Sequence, residues 1–547
     1  MSQSLTTIGT LKPRGLRATP RFRQEFHLDF VVGLIFLVLF GIAVHAFQYR
    51  DALGEDDLYR VLVGLLDGAV SGSGIGSSLQ YDNTFGFGYL AALYTFLDPA
   101  VLRDPDRLMG VINEIGFWSF MIGLEFFWCA VAIRYGSRTA TIALIIFALC
   151  PAVPELATSG HPEIVMLGFL FAGACLLLLP FSGWRAVLAA TGGAILLLAG
   201  MTTRVDIVFA FPWLVLSRAD TRSPGRFVIS CILRSIPPLG AIVVFLVLQK
   251  MIAPDQMGSA VGEFFGRWMS LSNVTRGVLY MALGGGLATV AGGALAGPYL
   301  AFRSWRGSRD GSRIALEQFL GPAALVAVPF GFFVLNSGPP RHFLFTYAGL
   351  SILIAIALTE GLALSRPIVI GAAFLLGAAN QVLGEAVRLP LIAANEANSA
   401  YRPIWTGYQT TTLVPLGWEW KRHEALVQRR ELWQAEGDKL TMPCQPYTLV
   451  LSDVTAQLAS RLYAGQSPIK AERPAADDIL VTLGGPDRTI WHYSKSMRWP
   501  EDSVALILKD PTYRQYKLYQ DPYTMSAYDR TSIPPDRQAQ FGCTGTR

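Results

Sequence analysis

The chain has 547 residues, of which 52% are hydrophobic and 16% are charged, and its formal net charge is +5. Soluble chains carry about 25% charged residues. Together with a mean hydropathy of +0.38, this composition excludes an ordinary soluble protein and predicts an integral membrane protein. The small net charge, without a dense basic tract that interleaves aromatic residues, argues against a nucleic-acid partner.

Eleven apolar runs are predicted to cross the membrane, since a bilayer core takes roughly 20 apolar residues per helix. The predicted spans are 28–48, 111–133, 139–155, 163–181, 186–202, 205–218, 228–250, 276–302, 315–335, 343–364 and 367–384. The predicted orientation depends on two short neighbouring spans, 186–202 and 205–218. If one of them did not cross the membrane, every later loop would lie on the opposite side. We interpret the first run as a signal anchor, since no small-residue cleavage site follows it.

The distribution of basic residues predicts the orientation. Five of them precede the first span: Lys12, Arg14, Arg17, Arg21 and Arg23. By the positive-inside rule, residues 1–27 form a cytoplasmic tail, and the loops that then lie inside are richer in arginine than the outside loops. The transmembrane domain is predicted at 28–384, with a large first outer loop at 49–110.

The C-terminal region, 385–547, is predicted to lie outside the cytoplasm. Its mixed polar and aromatic composition predicts a small α+β domain. A Cys444–Cys543 disulfide is a hypothesis, because such a compartment permits disulfides; two free thiols are the alternative. The cysteines of the apolar runs are interpreted as packing residues: Cys129, Cys150, Cys175 and Cys231.

Three adjacent acids, Glu55, Asp56 and Asp57, directly follow the first span. Neighbouring carboxylates repel one another, so their placement indicates a function. One function is a general base that takes the proton of an attacking hydroxyl. Another is a ligand set for a divalent cation such as Mg²⁺ or Mn²⁺. The alternative is a solvated acidic start of the loop.

An apolar and aromatic stretch lies further along the first outer loop. Tyr81 precedes an apolar stretch at 85–94, which contains Tyr89 and is too short to span the membrane comfortably. This stretch is typical of a helix that lies in the membrane interface, where it would shape a groove for a lipid tail. A simple amphipathic cover of the helix bundle is the alternative.

His161 and Glu163 stand at the outer edge of a predicted span. Ionisable residues at such an edge are functional candidates when they face a cavity. We predict that they join Asp56 as metal ligands or act as orienting groups. Alternatively, Glu163 is an acid at a helix N-terminus, where the helix dipole favours it.

Basic residues mark two further outer edges. Arg341 and His342 precede a late span, and Arg204 stands beside Asp206 at an earlier one. Arginine suits bidentate phosphate recognition, so Arg341, His342 and Arg204 are predicted to bind a phosphate at this depth. Snorkelling of Arg341 and an internal Arg204–Asp206 ion pair are the alternatives.

These motifs resemble the C-type (GT-C) glycosyltransferase superfamily, in particular the branch of the protein O-mannosyltransferases and the lipid A aminoarabinose transferase. That branch has an acidic pair and a tyrosine after the first span, matched by Glu55, Asp56 and Tyr59. The segment 337–344 is similar to its late Ser-x-x-(Pro/Lys)-Arg-Tyr motif, with His342 in the place of the aromatic residue. The resemblance covers about 28–384 and implies a GT-C-like, all-α polytopic membrane fold.

The resemblance implies an inverting transfer of a sugar from a polyprenyl-phosphate donor to a hydroxyl of a lipid, glycan or protein. Asp56 is then the base, with Glu55 or Asp57 in support, and Tyr59, Tyr81 and Tyr89 line the acceptor or lipid groove. Metal use varies within the superfamily. A bacterial inner membrane is the expected location. The alternatives are a transporter or lipid flippase, for which the expected internal repeat is not found, and a non-enzymatic scaffold or receptor.

Overall fold

A computed structural model describes residues 20–46, 105–158, 161–221, 223–252, 271–310, 316–335, 340–362 and 364–397, residues 90 and 93, and four strands in the C-terminal region. Several predicted residues lie outside these ranges: Glu55, Asp56, Asp57, Tyr59, Tyr81, Tyr89, Cys444 and Cys543. Their roles, and the Cys444–Cys543 bridge, stay predictions.

Helices make up the described part of the chain up to residue 397. They are α1 Pro20–Ala46, α2 Pro105–Tyr135, α3 Ser137–Ala148, α4 Ala152–Thr158, α5 Pro162–Leu178, α6 Trp184–Thr203, α7 Phe211–Leu216, α8 Pro224–Ile252, α9 Leu271–Gly285, α10 Leu287–Asp310, α11 Leu316–Leu335, α12 Leu344–Ile356 and α13 Arg366–Ala397. A 3₁₀ turn at Val205–Ala210 precedes α7, another at Pro340–Phe343 precedes α12, and a π turn at Ala357–Gly361 follows α12.

Seven of the described helices are long and apolar enough to cross a membrane, or eight when the bent pair α9–α10 is counted as one span. The chain is therefore an integral membrane protein. Each predicted span overlaps a helix, but three of them coincide with shorter apolar segments: Ser137–Ala148, Pro162–Leu178 and Val205–Leu216. The total of eleven spans and their orientation stay predictions.

The described helices bring the functional candidates to one end of the bundle and a separate group of arginines to the other end. Helix α12 is central and almost wholly buried, and Arg341 precedes it. At its far end, Arg138 donates to the carbonyl of Leu364 and Arg303 donates to that of Gly361. The segment Arg341–Gly361 has 21 residues and, as a helix, rises about 30 Å, so its two ends lie far apart. We call the end near Arg341 the site end and the end near Arg138 the basic end.

The sharp bend between α9 and α10 differs from the single span predicted at 276–302. The two helices meet at 101° because Gly286 has a left-handed backbone, with a φ of 84°. Asn380 of α13 fills the space beside Gly286. Its side-chain oxygen accepts from the backbone N–H of Thr289 at 2.9 Å, and its amide donates to the Thr289 hydroxyl at 2.7 Å. These bonds satisfy polar groups at the start of α10, where Thr289 is buried.

We expect Gly286→Ala to destabilise the protein by about 2 kcal/mol or more, since an L-residue is strained in this region and its Cβ would overlap Asn380. The matched control is Gly297→Ala in α10, where a Cβ would meet nothing within 4 Å; helix propensity makes that change neutral or slightly stabilising. Thermal unfolding of both variants in detergent compares them, and equal melting temperatures would contradict the role of the bend.

A buried ion pair joins α1 to α13 at the basic end. Arg366 Nε lies 2.8 Å from Asp29 Oδ1, and the Ser137 hydroxyl donates to Asp29 Oδ2 at 3.0 Å. Thr141 also donates to the Asp29 carbonyl at 3.0 Å. One acidic residue thus holds three segments that are far apart in the sequence.

Asp29→Asn is expected to cost roughly 3 kcal/mol of stability, because it removes one partner from a pair whose acid is buried. The matched control is Glu114→Gln near the other end of α1. The Glu114 side chain is 43% exposed and its partner His45 is 37% exposed, so this loss should stay below about 1 kcal/mol. Melting temperatures in detergent measure the difference; equal losses would reject a structural role for Asp29.

Glycines bring α9 and α10 close to α12. A Cβ on Gly285 would overlap Tyr347, and one on Gly293 would overlap Leu350. These glycines therefore allow close helix packing. Close packing also explains why Tyr347 is fully buried inside a membrane protein.

The described strands of the C-terminal region form a four-stranded sheet: β1 Leu449–Leu451, β2 Ile479–Leu483, β3 Arg514–Gln520 and β4 Thr524–Asp529. The strand order is β1-β2-β4-β3, with β1 and β2 parallel and the other pairs antiparallel. The complete α+β domain stays a prediction. In the membrane part, the four described cysteines are free thiols.

Candidate functional site

The first part of the site is the start of α5. His161 is the N-cap residue, Pro162 is the first helical residue, and Glu163 follows in the first turn. Proline suits this position because the first helical N–H has no partner within the helix. Glu163 is therefore the acid at a helix N-terminus that the sequence predicts. Its side chain is buried, at 2% exposed. A buried carboxylate needs charged or hydrogen-bonding partners.

The break after α6 supplies the second part. Arg204 has an extended backbone (φ −152°, ψ 127°) that ends α6, and the 3₁₀ turn that starts at Val205 carries Asp206. Arg204 Nη2 lies 3.1 Å from Asp206 Oδ2 and 3.5 Å from Glu163 Oε1. The internal ion pair considered for Arg204 and Asp206 is therefore present, and Arg204 also reaches the buried acid.

The third part is the 3₁₀ turn before α12, which carries Arg341 and His342. Arg341 Nε lies 3.2 Å from Glu163 Oε1, and His342 Nδ1 lies 3.0 Å from Asp206 Oδ2. His161 Nδ1 completes the group at 3.6 Å from Glu163 Oε2. We call these six residues the outer-edge cluster: His161, Glu163, Arg204, Asp206, Arg341 and His342.

Burial divides the outer-edge cluster into two layers. His161, Glu163 and Arg341 are buried, whereas the side chains of Arg204, Asp206 and His342 keep about one seventh of their surface exposed. The two guanidinium groups balance the two carboxylates when the histidines are neutral. An anion can approach the more exposed layer, where arginine and histidine donors are already fixed in position by acids.

The structure thus brings together the three predicted phosphate-binding residues, Arg204, Arg341 and His342. Their role in binding stays a prediction. Sequence reasoning missed the importance of Asp206, which was considered only as a partner of Arg204. It contacts both Arg204 and His342. The separation of Arg204 and Asp206 by two residues indicated their ion pair, but nothing in the sequence indicated the contact between Asp206 and His342.

A divalent cation is not favoured by the described residues alone. They contain no group of three or more potential metal ligands, and His161 and Glu163 supply two. A cation at Glu163 would also meet the guanidinium groups of Arg204 and Arg341. The third predicted ligand, Asp56, lies outside the described ranges, so the predicted metal set stays a prediction.

The fold has known counterparts among solved structures. ArnT from Cupriavidus metallidurans bound to undecaprenyl phosphate aligns over 91% of this chain and 98% of its own, with 14% identity and a TM-score of 0.50. Its apo state aligns over 93% and 99%, with 14% identity and a TM-score of 0.51. The chain has the fold of ArnT. The GT-C-like fold predicted from the sequence is thereby confirmed, since ArnT, the lipid A aminoarabinose transferase, is a GT-C protein.

The archaeal oligosaccharyltransferase AglB from Archaeoglobus fulgidus aligns over 92% of this chain and 75% of its own, with 12% identity and a TM-score of 0.47. No family model matches the chain, and no curated protein matches its sequence. The likeness to ArnT therefore concerns the fold, and the function has to be argued from the outer-edge cluster.

Proposed function

We propose that this protein is a membrane glycosyltransferase that moves a sugar from a polyprenyl-phosphate donor to a hydroxyl acceptor. The observation that carries the proposal is the meeting of Arg204, Arg341 and His342 in one cluster at a single end of the bundle. The ArnT fold adds support, because one ArnT structure contains undecaprenyl phosphate.

The depth of the outer-edge cluster suits such a donor. A polyprenyl phosphate keeps its tail in the bilayer and its sugar in water, so its phosphate lies where helices end. Arg341 and His342 directly precede α12, and Arg204 directly follows α6. Arg204 and Arg341 can each offer paired N–H donors to phosphate oxygens, and His342 adds a third donor group.

The reaction needs a base and a stabilised leaving group. In the proposed step, the acceptor oxygen attacks the anomeric carbon while the bond from that carbon to the phosphate oxygen breaks. The electron pair of that bond leaves on the polyprenyl phosphate, and Asp56 takes the acceptor proton. Arg204 and Arg341 stabilise the extra negative charge on the departing phosphate. Attack from the opposite face inverts the anomeric centre.

The remaining assignments belong to the same proposal. Glu55 and Asp57 support Asp56, and Tyr59, Tyr81 and Tyr89 line the groove for the acceptor or its lipid. If a divalent cation such as Mg²⁺ or Mn²⁺ is used, Asp56, His161 and Glu163 would hold it, and it would supply positive charge to the phosphate. The active site faces away from the cytoplasm, in a bacterial inner membrane.

The direct test uses the purified full chain in lipid nanodiscs. Polyprenyl-phosphate mannose and polyprenyl-phosphate aminoarabinose, each radiolabelled in the sugar, are supplied with a total membrane extract as the source of acceptor. We expect free polyprenyl phosphate to appear together with labelled acceptor for one donor. In sealed vesicles, labelled donor that changes leaflet without losing its sugar would instead support the flippase alternative.

A further inference from the structure

The basic end holds a second group of charged residues, which the proposed function does not use. Arg134 stands in the last turn of α2, Arg218 follows α7, and Arg234 belongs to α8. We call these three residues the arginine triad. All three side chains are half-buried. Arg134 comes from a helix that is distant in the sequence from Arg218 and Arg234, so the tertiary fold brings it to them.

The three guanidinium groups interact electrostatically with one another. Burial, followed by the neighbouring charges of Arg234 and Arg134, lowers the pKa of Arg218 to about 10. Arginine guanidinium groups stay charged in proteins at neutral pH. Like charges in a partly buried place repel each other, so the triad is stable only if nearby anions compensate it.

Two acids in the described part of the chain stand near the triad. Glu360 interacts electrostatically with Arg134 and accepts from Gln318 at 3.4 Å. Asp220 follows Arg218 by two residues, and its backbone N–H donates to Ser230. Arg218 donates one N–H to the backbone carbonyl of Leu179, at 2.6 Å.

Arg234 provides a more specific signal. Its Nε is buried, and no hydrogen-bond partner reaches that atom from the part of the chain that the structure describes. Helix α8 has 29 residues, about 43 Å, which exceeds a hydrocarbon core of about 30 Å. The helix is therefore long enough to extend beyond the core, and Arg234, in its first half, interacts electrostatically with Arg134 in the last turn of α2 and with Arg218 after α7.

The surface beside Arg234 is apolar. Ile232, Leu233 and Ile236 are each about 60% exposed, and the exposed stripe continues through Leu239 and Val243. A ligand with a negatively charged head and hydrocarbon chains would fit both features. Basic pockets between helices at the inner membrane surface bind lipid head groups of this type.

We propose that the arginine triad of Arg134, Arg218 and Arg234 binds the phosphate of an anionic phospholipid, whose acyl chains lie along the exposed face of α8. The site lies at the opposite end of the bundle from the outer-edge cluster, and it does not depend on the proposed glycosyl transfer. The arginine bias of the loops predicts that this end faces the cytoplasmic leaflet.

The test is native mass spectrometry of the purified full chain, titrated with phosphatidylglycerol or with phosphatidylcholine of the same acyl chains. We expect phosphatidylglycerol to bind roughly tenfold more tightly. The Arg218→Gln/Arg234→Gln variant should lose this preference. Arg226→Gln, which removes an equal charge from an exposed position in the first turn of the same helix, should keep it within about twofold.

Three outcomes would overturn the proposal. Equal binding of both lipids by the wild type would reject an anionic site, whether or not any variant folds. An unchanged preference in the double variant would place the site elsewhere. Protection from thermal unfolding by inorganic phosphate as strong as that by phosphatidylglycerol would indicate a site for free anions. If the double variant does not fold, Arg234→Lys keeps the charge and should still lower the preference about threefold.

Discussion

Asp56→Asn is expected to lower kcat for sugar transfer by about 10²- to 10⁴-fold, the range that a positioned general base contributes. Asparagine has nearly the same shape as aspartate but does not take up a proton in the transition state. The apparent KM for the donor should change little, since the base acts on the acceptor. Measured initial rates with labelled donor provide both constants.

The neighbouring acids are the controls for this prediction. Glu55→Gln and Asp57→Asn remove the same charge from the same segment and should lower kcat far less, if they only support Asp56. Wild-type turnover in Asp56→Asn would remove this residue from the mechanism. A larger loss in Asp57→Asn than in Asp56→Asn would show that the register of the acidic pair is shifted by one residue.

Arg341→Lys is expected to raise the apparent KM for the polyprenyl-phosphate donor by about 10- to 100-fold, because the bidentate guanidinium contact is lost. Lysine keeps the positive charge beside Glu163, so that the buried carboxylate retains a partner. Arg341→Ala should bind the donor more weakly still, but it also leaves Glu163 with one charged partner fewer, which costs about 3 kcal/mol in a buried pair.

The double variant Glu163→Gln/Arg341→Ala separates binding from folding. Removal of the buried acid should restore much of the stability lost in Arg341→Ala, whereas donor affinity should remain low. Arg226→Lys, at an exposed position far along the chain, controls for a general effect of the substitution. An unchanged apparent donor affinity in Arg341→Lys and Arg341→Ala would reject the phosphate-binding role of Arg341.

Sequence periodicity and charge located the helices of this protein well, because long apolar runs have few other uses. The predicted span 186–202 lies within α6, and the predicted 343–364 coincides with α12 and its flanking turns. Five of the six residues of the outer-edge cluster were also singled out, all but Asp206, since ionisable groups at the edge of an apolar run are conspicuous. The C-terminal region gave no such runs, and its sheet order was not predictable.

Long-range partners account for what the sequence did not reveal. The bend at Gly286 depends on Asn380, almost one hundred residues later, so the glycines around it do not predict the bend by themselves. His342 contacts Asp206 across a similar distance. Arg234 lies inside the predicted span 228–250, where a single arginine has no visible counterpart, and its neighbours Arg134 and Arg218 come from other helices.

The outer-edge cluster draws its members from three places along the chain, and the last of them to be synthesised is His342. A nascent chain that has reached the end of α6 already carries Glu163 and Arg204, yet it lacks the arginine that completes the surroundings of this acid. Insertion into the bilayer therefore proceeds for most of translation with an unfinished pocket. The proposed donor site is complete only after the later hydrophobic segments have docked.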